Sequence, residues 1–445
     1  MEANWPAIIL LLIVTGVAVY VGRMLFKQWF NPLSLYSSLW GFCLITYELN
    51  LIQYFPVRRL AWIYIAVGWG SLYLGSMIVF LARPPLSRAV TSSFSVDQKR
   101  LRKAIMVLSF FGAIGVADQI RGVAGQFGNP LIAAFANSGE IYTERVSGVT
   151  SEVPYFGALL FVACSLAGVY TARVGKLTVA AITPLVLETV NNIFGMFRAG
   201  VVMAAFLFLV SFFYTPRSAK FSIKRWQQFA AVSLGIAILV GGFVFVSATR
   251  GLGVDFPGTT PAMERISEII PVFPSIYSNF SATPVALSMY LTSPDEAKTG
   301  HWGQFALMPI FRFAVRLGLL RNEARFEEDY YTPVPTNTAT YLKNLDSDFG
   351  FSGIVFFPLL LGAVMTALVL RTETNFRLLD LLVLSNAYLI VVFSFVVNFM
   401  AQGAWYISMV VSVVVAITLE RGLKTNGTRA PSRTTPSNIR IEGLH

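Results

Sequence analysis

Apolar residues recur along the chain in runs of roughly 17–25, the length of helix that crosses a bilayer, with short polar stretches between them. Eleven runs stand at about 5–22, 35–53, 60–82, 104–120, 153–171, 177–197, 200–215, 228–249, 351–370, 380–400 and 403–420. They predict an all-α polytopic membrane protein with about 11 transmembrane helices. Residues 1–249 would carry the first eight helices, with an external loop at about 121–152. A segment at 250–350, too long for an ordinary connection in a bundle, is expected to be a large external helical loop. The last three helices follow at 351–420, and 421–445, rich in Pro, Ser, Thr and Arg, is expected to be a disordered tail. No internal repeat is visible, which argues against a symmetric secondary transporter.

Composition agrees with the pattern: 55% of the 445 residues are hydrophobic and 13% charged. A net charge of +11 would suit nucleic acid, but the basic residues stand in short clusters between apolar runs. Lipid head groups, not nucleic acid, are the expected partner. Cys43 and Cys164 each lie inside an apolar run without a second thiol or a histidine at ligand spacing, so neither a disulfide nor a metal site is expected. The first run has no basic residue ahead of it and reads as a retained helix, not a cleaved signal.

Charge also orients the chain, because cytoplasmic segments accumulate Lys and Arg. Alternate connections and the tail hold 21 of the 34 basic residues. That places the tail in the cytoplasm and the N-terminus outside. Of the 13 basic residues on the outer face, 11 are arginine, whereas the inner set divides 14 to seven. Arginine's planar fork binds phosphate oxygens in pairs, so this bias suits a phosphorylated ligand held at the membrane surface.

The segment GHWGQFALMPIFRFAVRLGLLRNEARFEEDYYTP, 300–333, sets Arg312 and Arg316 among Phe305, Phe311 and Phe313. Like charges four residues apart share a helix face and repel unless an anion lies between them. An amphipathic helix on the outer leaflet is expected over the whole segment. Arg321 and Arg325 repeat the spacing, but Glu323, Glu327, Glu328 and Asp329 can neutralise them.

The following stretch, PTNTATYLKNLDSDFGFSGIVFFPLLLG at 335–362, carries Asn337, Thr340, Tyr341, Asp348, Phe349, Gly350 and Gly353 directly before an apolar run. With Arg198 and Gly200 opening a mid-chain run and Asn31-Pro32 ahead of an early one, this order resembles the O-antigen polymerase family, which joins lipid-linked oligosaccharide repeat units. The resemblance implies a GT-C-like membrane glycosyltransferase in the bacterial cytoplasmic (inner) membrane. Its expected partners are a polyprenyl-diphosphate-linked oligosaccharide, membrane lipid and a chain-length regulator. No cofactor is expected, because the donor is already activated by its diphosphate. Arg198 and Arg250, at outer ends of predicted spans, are the expected diphosphate ligands, with Arg312, Arg316, Asn337, Thr340 and Tyr341 as further substrate-binding residues.

His301, the one histidine besides His445, is a candidate general base, with Asp348 and Glu188 as competitors. Glu188 could instead organise Asn191 or Asn192. On a straight helix it would stand about 15 Å from Arg198, too far to pair. Tyr277, Tyr330, Tyr331, Tyr341 and Trp302 are candidates for stacking on sugar rings, although interfacial aromatic belts have the same composition. The DFG at 348–350 lacks every companion of a kinase site. The DSD at 346–348 resembles a metal-binding pair of nucleotide-sugar transferases, but charge places it outside, where nucleotide sugars are absent. Gly350 and Gly353 also suit an ordinary turn. Rival functions are a flippase or other transporter for lipid-linked oligosaccharide, and an O-antigen ligase.

Reporter fusions after Lys298 and after Lys424 test the orientation. Export-dependent activity is expected at the first site only, and the same result at both sites overturns the charge argument.

Overall fold

The computed structural model describes residues 3–82, 97–137, 140–141, 155–195, 198–216, 256–293, 302–320, 330–333, 335–336 and 338–424. Nearly all of these lie in helices: α1 Trp5–Phe26, α2 Pro32–Glu48, α3 Arg59–Leu81, α4 Gln98–Phe127, α5 Pro130–Ala136, α6 Ala158–Val174, α7 Val179–Gly195 and α8 Arg198–Tyr214. After them come α9 Pro261–Ile269, α10 Phe273–Ser281, α11 Thr283–Thr292, α12 Met308–Arg316, α13 Tyr341–Phe349, α14 Phe351–Thr374, α15 Leu378–Phe393 and α16 Gly403–Lys424. A small antiparallel hairpin, β1 Tyr330–Tyr331 and β2 Pro335–Thr336, sits between α12 and α13.

Helices stand at ten of the eleven predicted apolar stretches, and 228–249 lies outside the described residues. Five are long and apolar enough to cross a membrane: α1, α3, α4, α14 and α16. The protein is therefore a helical membrane protein. Helices α6, α7, α8 and α15 are apolar but shorter, with 16 or 17 residues, about 25 Å of rise each. Boundaries move for local reasons. Helix α4 runs on to Phe127, two turns into the predicted external loop, where Gly128 ends it at φ +78°. Helix α15 stops at Phe393, and α16 continues to Lys424, four residues into the predicted tail. The remainder of that tail lies outside the described residues.

Helix α2 begins where Asn31-Pro32 predicts a chain event. Asn31 is fully buried; its Oδ1 accepts from the Ser34 N–H at 2.8 Å, and its Nδ2 donates to the Gln28 carbonyl at 2.7 Å. Pro32 occupies the first helical position, where its missing N–H costs nothing. This element of the resemblance is thus a helix cap.

The core sits around α6 and α15, both buried on nearly every face, as helices apolar all round must be. Helix α6 packs on α4, α7 and α8, and α15 packs on α8, α14 and α16. Inside lipid no water drives helices together, so small residues that let backbones touch decide the contacts. The α3–α14 crossing shows this. A Cβ on Gly75 would lie 1.9 Å from the Leu359 carbonyl oxygen, and one on Gly362 would lie 2.1 Å from that of Leu72. Ser76 Oγ closes the crossing by donating to the Gly362 carbonyl at 3.2 Å.

The described parts of the segment around 250–350 pack onto this bundle. Helix α10 lies on α2, while α11 lies on α2 and α3. Ile52, Tyr54, Met263, Tyr277 and Val285 form a satellite core. Tyr277 is buried: its hydroxyl donates to the Thr46 carbonyl at 2.5 Å and accepts from the Leu51 N–H at 3.1 Å. Burial pushes that phenol up to about 12. Among the described residues of 300–333, the expected amphipathic helix spans nine residues, Met308–Arg316, preceded by a turn at 302–307.

Gly75→Leu is expected to lower thermal stability in detergent by about 1–3 kcal/mol, because backbone must move to admit any side chain there. Gly70→Leu on the same helix, with no atom within 4 Å of its Cβ position, should leave the melting temperature unchanged. Equal melting temperatures in the two variants would remove the crossing from the account.

Candidate functional site

Helix α13 is a polar element buried among apolar helices. Its sequence, YLKNLDSDF, supplies Leu342 and Leu345 to the core, and Tyr341 to Asp348 are all buried. Each end is satisfied from outside the helix. The Tyr341 N–H donates to the Ser394 carbonyl at the end of α15, 2.9 Å away. At the other end the Gly350 N–H reaches the Asp346 carbonyl at 2.7 Å. Gly350 has φ +62°, which a side chain resists, and a Cβ on Gly353 would stand 2.5 Å from the Leu345 carbonyl oxygen. The two glycines let α14 start directly against α13.

Asp346 lies inside this arrangement, 8% exposed. Tyr64 from α3 donates to its Oδ1 at 2.9 Å, and Tyr290 from α11 donates to its Oδ2 at 3.1 Å. Burial first, and then the Asp346 carboxylate, hold the Tyr290 phenol well above its usual range, so it remains a donor. Lys343, three residues before Asp346 and on the same side of the helix, places its ammonium 4.7 Å from the ring centre of Tyr330 in β1. One acid, one ammonium and three phenols from four elements converge here.

Asp348 points elsewhere. Residues two apart on a helix project about 200° from each other. Its Oδ1 accepts from the Phe305 N–H at 3.0 Å and its Oδ2 from the Ala306 N–H at 2.5 Å. Asn398 adds a bond to the Ala306 carbonyl at 3.3 Å. These contacts fasten the 302–307 turn, and the turn leads straight into α12 with Arg312 and Arg316. Arg316 is exposed and Arg312 half-buried, beside exposed Ile310 and Phe313. The arginine helix is therefore tied to α13 through one carboxylate.

The other expected residues fall in three places. Tyr341 is fully buried, its hydroxyl 3.1 Å from that of Tyr36, which leaves no ring face for a sugar. Thr340 stands at the N-cap position of α13 without capping it, and its buried Oγ1 has no hydrogen-bond partner among the described residues. Trp302 is 88% exposed and Tyr331 64%, both open to a ligand.

Glu188 lies apart from this group, 1% exposed on α7. Asn192 donates to its Oε1 at 2.6 Å and Asn191 to its Oε2 at 3.4 Å, the organising role weighed from the sequence. The straight-helix distance from Glu188 to Arg198 does not hold, because α7 ends at Gly195 and Arg198 opens α8. The two helices are in contact, close enough that a Cβ on Gly200 would sit 2.2 Å from Asn192 Oδ1. The Arg198 side chain, and all of Arg250, His301 and Asn337, lie outside the described residues.

Asp346, Lys343, Tyr64 and Tyr290 were not singled out as site residues from the sequence. The one available signal was the i, i+3 spacing of Lys343 and Asp346 between core leucines. Comparison with family models, curated proteins and solved structures gives no match to this chain.

Asp348→Asn replaces one accepting oxygen by a donor that faces a backbone N–H, at a cost of about 1.5–3 kcal/mol. Faster hydrogen exchange is expected at Phe305 and Ala306, with little change in α3. Unchanged exchange at both amides would show that the carboxylate does not hold the turn.

Proposed function

We propose that the chain is an oligosaccharide repeat-unit polymerase, a membrane glycosyltransferase that joins polyprenyl-diphosphate-linked units into a surface polysaccharide on the outer face of a bacterial cytoplasmic membrane. The reading carries with it eleven spans, a GT-C-like arrangement, an external N-terminus and a cytoplasmic tail. The observation that supports it best is the coupling of α12 to α13 by Asp348. Through that contact an arginine helix with exposed apolar side chains adjoins a buried cluster of acid, ammonium and phenols.

Such a pairing suits the two ends of the reaction. A lipid-linked donor lies in the membrane with its diphosphate at the surface. An amphipathic helix can hold that group with arginine forks while its apolar side meets the acyl chains. The developing charge on the leaving diphosphate needs fixed cations in a poorly hydrated place. Arg312 and Arg316 take this role together with Arg198, which opens α8, and Arg250, which is followed by a glycine in the sequence. Trp302 and Tyr331 offer ring faces for the sugars.

The rival readings share the lipid substrate. A flippase would need charge along a path through the bundle. Among the described residues the buried acids outside α13, Glu48, Glu188 and Asp380, are each already paired: Glu48 with Asn4, Glu188 with Asn192 and Asp380 with Arg371.

Replacing both Arg312 and Arg316 by Gln is expected to shorten the polysaccharide and reduce turnover of extracted lipid-linked repeat units at least about tenfold, at unchanged protein abundance. Full-length polymer in the double variant would exclude α12 from substrate binding. Loss of the protein from the membrane would reassign the pair to folding.

A further inference from the structure

Two aspartates two residues apart on α13 are held in chemically different ways. Asp348 is bonded by backbone amides, which cannot exchange protons usefully and serve only to fix a turn. Asp346 is bonded by two phenol hydroxyls brought from residues 282 and 56 positions away in sequence. A structural carboxylate needs no such donors, since amides or an arginine would hold it at least as well. Lys343 places a cation on the same side of the helix, parked on the Tyr330 ring, in β1 next to exposed Tyr331. Among the described residues, α14 has no ionisable side chain over 351–370 and α11 has Tyr290 alone, while α3 carries Arg59, Tyr64 and Tyr73. The cluster is thus a carboxylate hydrogen-bonded by two hydroxyls, with a lysine three residues earlier on the same helix whose ammonium rests on an aromatic ring.

We propose that Asp346 is the general base of the glycosyl transfer, accepting the proton of the acceptor sugar's hydroxyl, with Tyr64 and Tyr290 positioning its carboxylate. The proposal rests on the polymerase reading and adds the catalytic group to it. In the step, the acceptor O–H gives its proton to Asp346 while its oxygen bonds to the anomeric carbon of the donor. The bond from that carbon to the phosphate oxygen breaks, and its electron pair leaves with the polyprenyl diphosphate. Asp346 then passes the proton to bulk water and is again a carboxylate. No oxidant, reductant or further reactant is needed.

The test uses purified full-length protein and polyprenyl-diphosphate-linked oligosaccharide extracted from cells lacking this chain. General-base catalysis commonly contributes about 10²–10⁴-fold. Asp346→Asn should therefore lose at least about a hundredfold in turnover while its KM for the lipid-linked substrate stays within a few-fold. Turnover within about threefold of wild type overturns the proposal. Should Asp346→Asn not accumulate, Tyr290→Phe preserves volume and gives an independent reading. Loss of one of the two phenols that orient the carboxylate should lower kcat at least about tenfold while KM stays within a few-fold. An unchanged kcat overturns the proposal as well. If wild-type protein makes no polymer from the substrate, the polymerase reading itself fails and the proposal with it; active wild type with active Asp346→Asn removes only the base.

Discussion

A nine-residue polar helix can lie inside an apolar bundle only if every charge it carries meets a partner, and α13 satisfies that constraint from four directions. Tyr64 and Tyr290 take one aspartate, the 302–307 turn takes the other, and Lys343 rests on Tyr330. Stripping a single partner would leave a buried charge exposed to the low dielectric around it, a larger loss than the bond itself. The four partners are therefore fixed together. They belong to α3, α11, the turn before α12, and the β-hairpin, so the polar helix sets where the intervening segment can lie.

The apolar framework around it is ordered by a different rule. Helices α3 and α14 touch backbone to backbone at Gly75 and Gly362, which brings the face bearing Tyr64 against the start of α14. Tyr64 meets Phe351 edge-on there, with ring centres 5.4 Å apart. A residue larger than glycine at the crossing would separate the helices and draw the Tyr64 hydroxyl away from Asp346. Packing in the membrane core and hydrogen bonding at the polar helix are parts of one geometry.

Periodicity made the apolar helices legible, because a run of roughly 20 such residues has few other solutions. The motif order around 337–353, and Asn31-Pro32 far ahead of it, were also visible, and the structure gives several of these letters a physical role. Asn31 caps α2, Gly350 takes a positive φ, Gly353 admits a carbonyl, and Asp348 fastens a turn. What the sequence concealed was depth. Residues 341–349 are polar enough to read as surface, and only contacts with Tyr64 and Tyr290, far away in the chain, show that Asp346 is interior. The division between the runs at 177–197 and 200–215 was legible; what the sequence did not show is how closely α7 and α8 meet, where a Cβ on Gly200 would crowd Asn192.

The separation of roles on α13 explains why its two acids cannot stand in for each other. A carboxylate bridged by two backbone amides has its lone pairs directed by a rigid turn, and its value lies in geometry. A carboxylate held by phenols sits among groups that rotate, and a hydroxyl entering the site can join them without breaking the backbone contacts. Because a helix turns about 100° per residue, acids at i and i+2 face nearly opposite ways. A short helix with this spacing can anchor α12 on one side and carry a titratable cluster on the other. The spacing of the two acids is then set by helix geometry, and the Asp348 contacts join α13 to the turn that leads into α12.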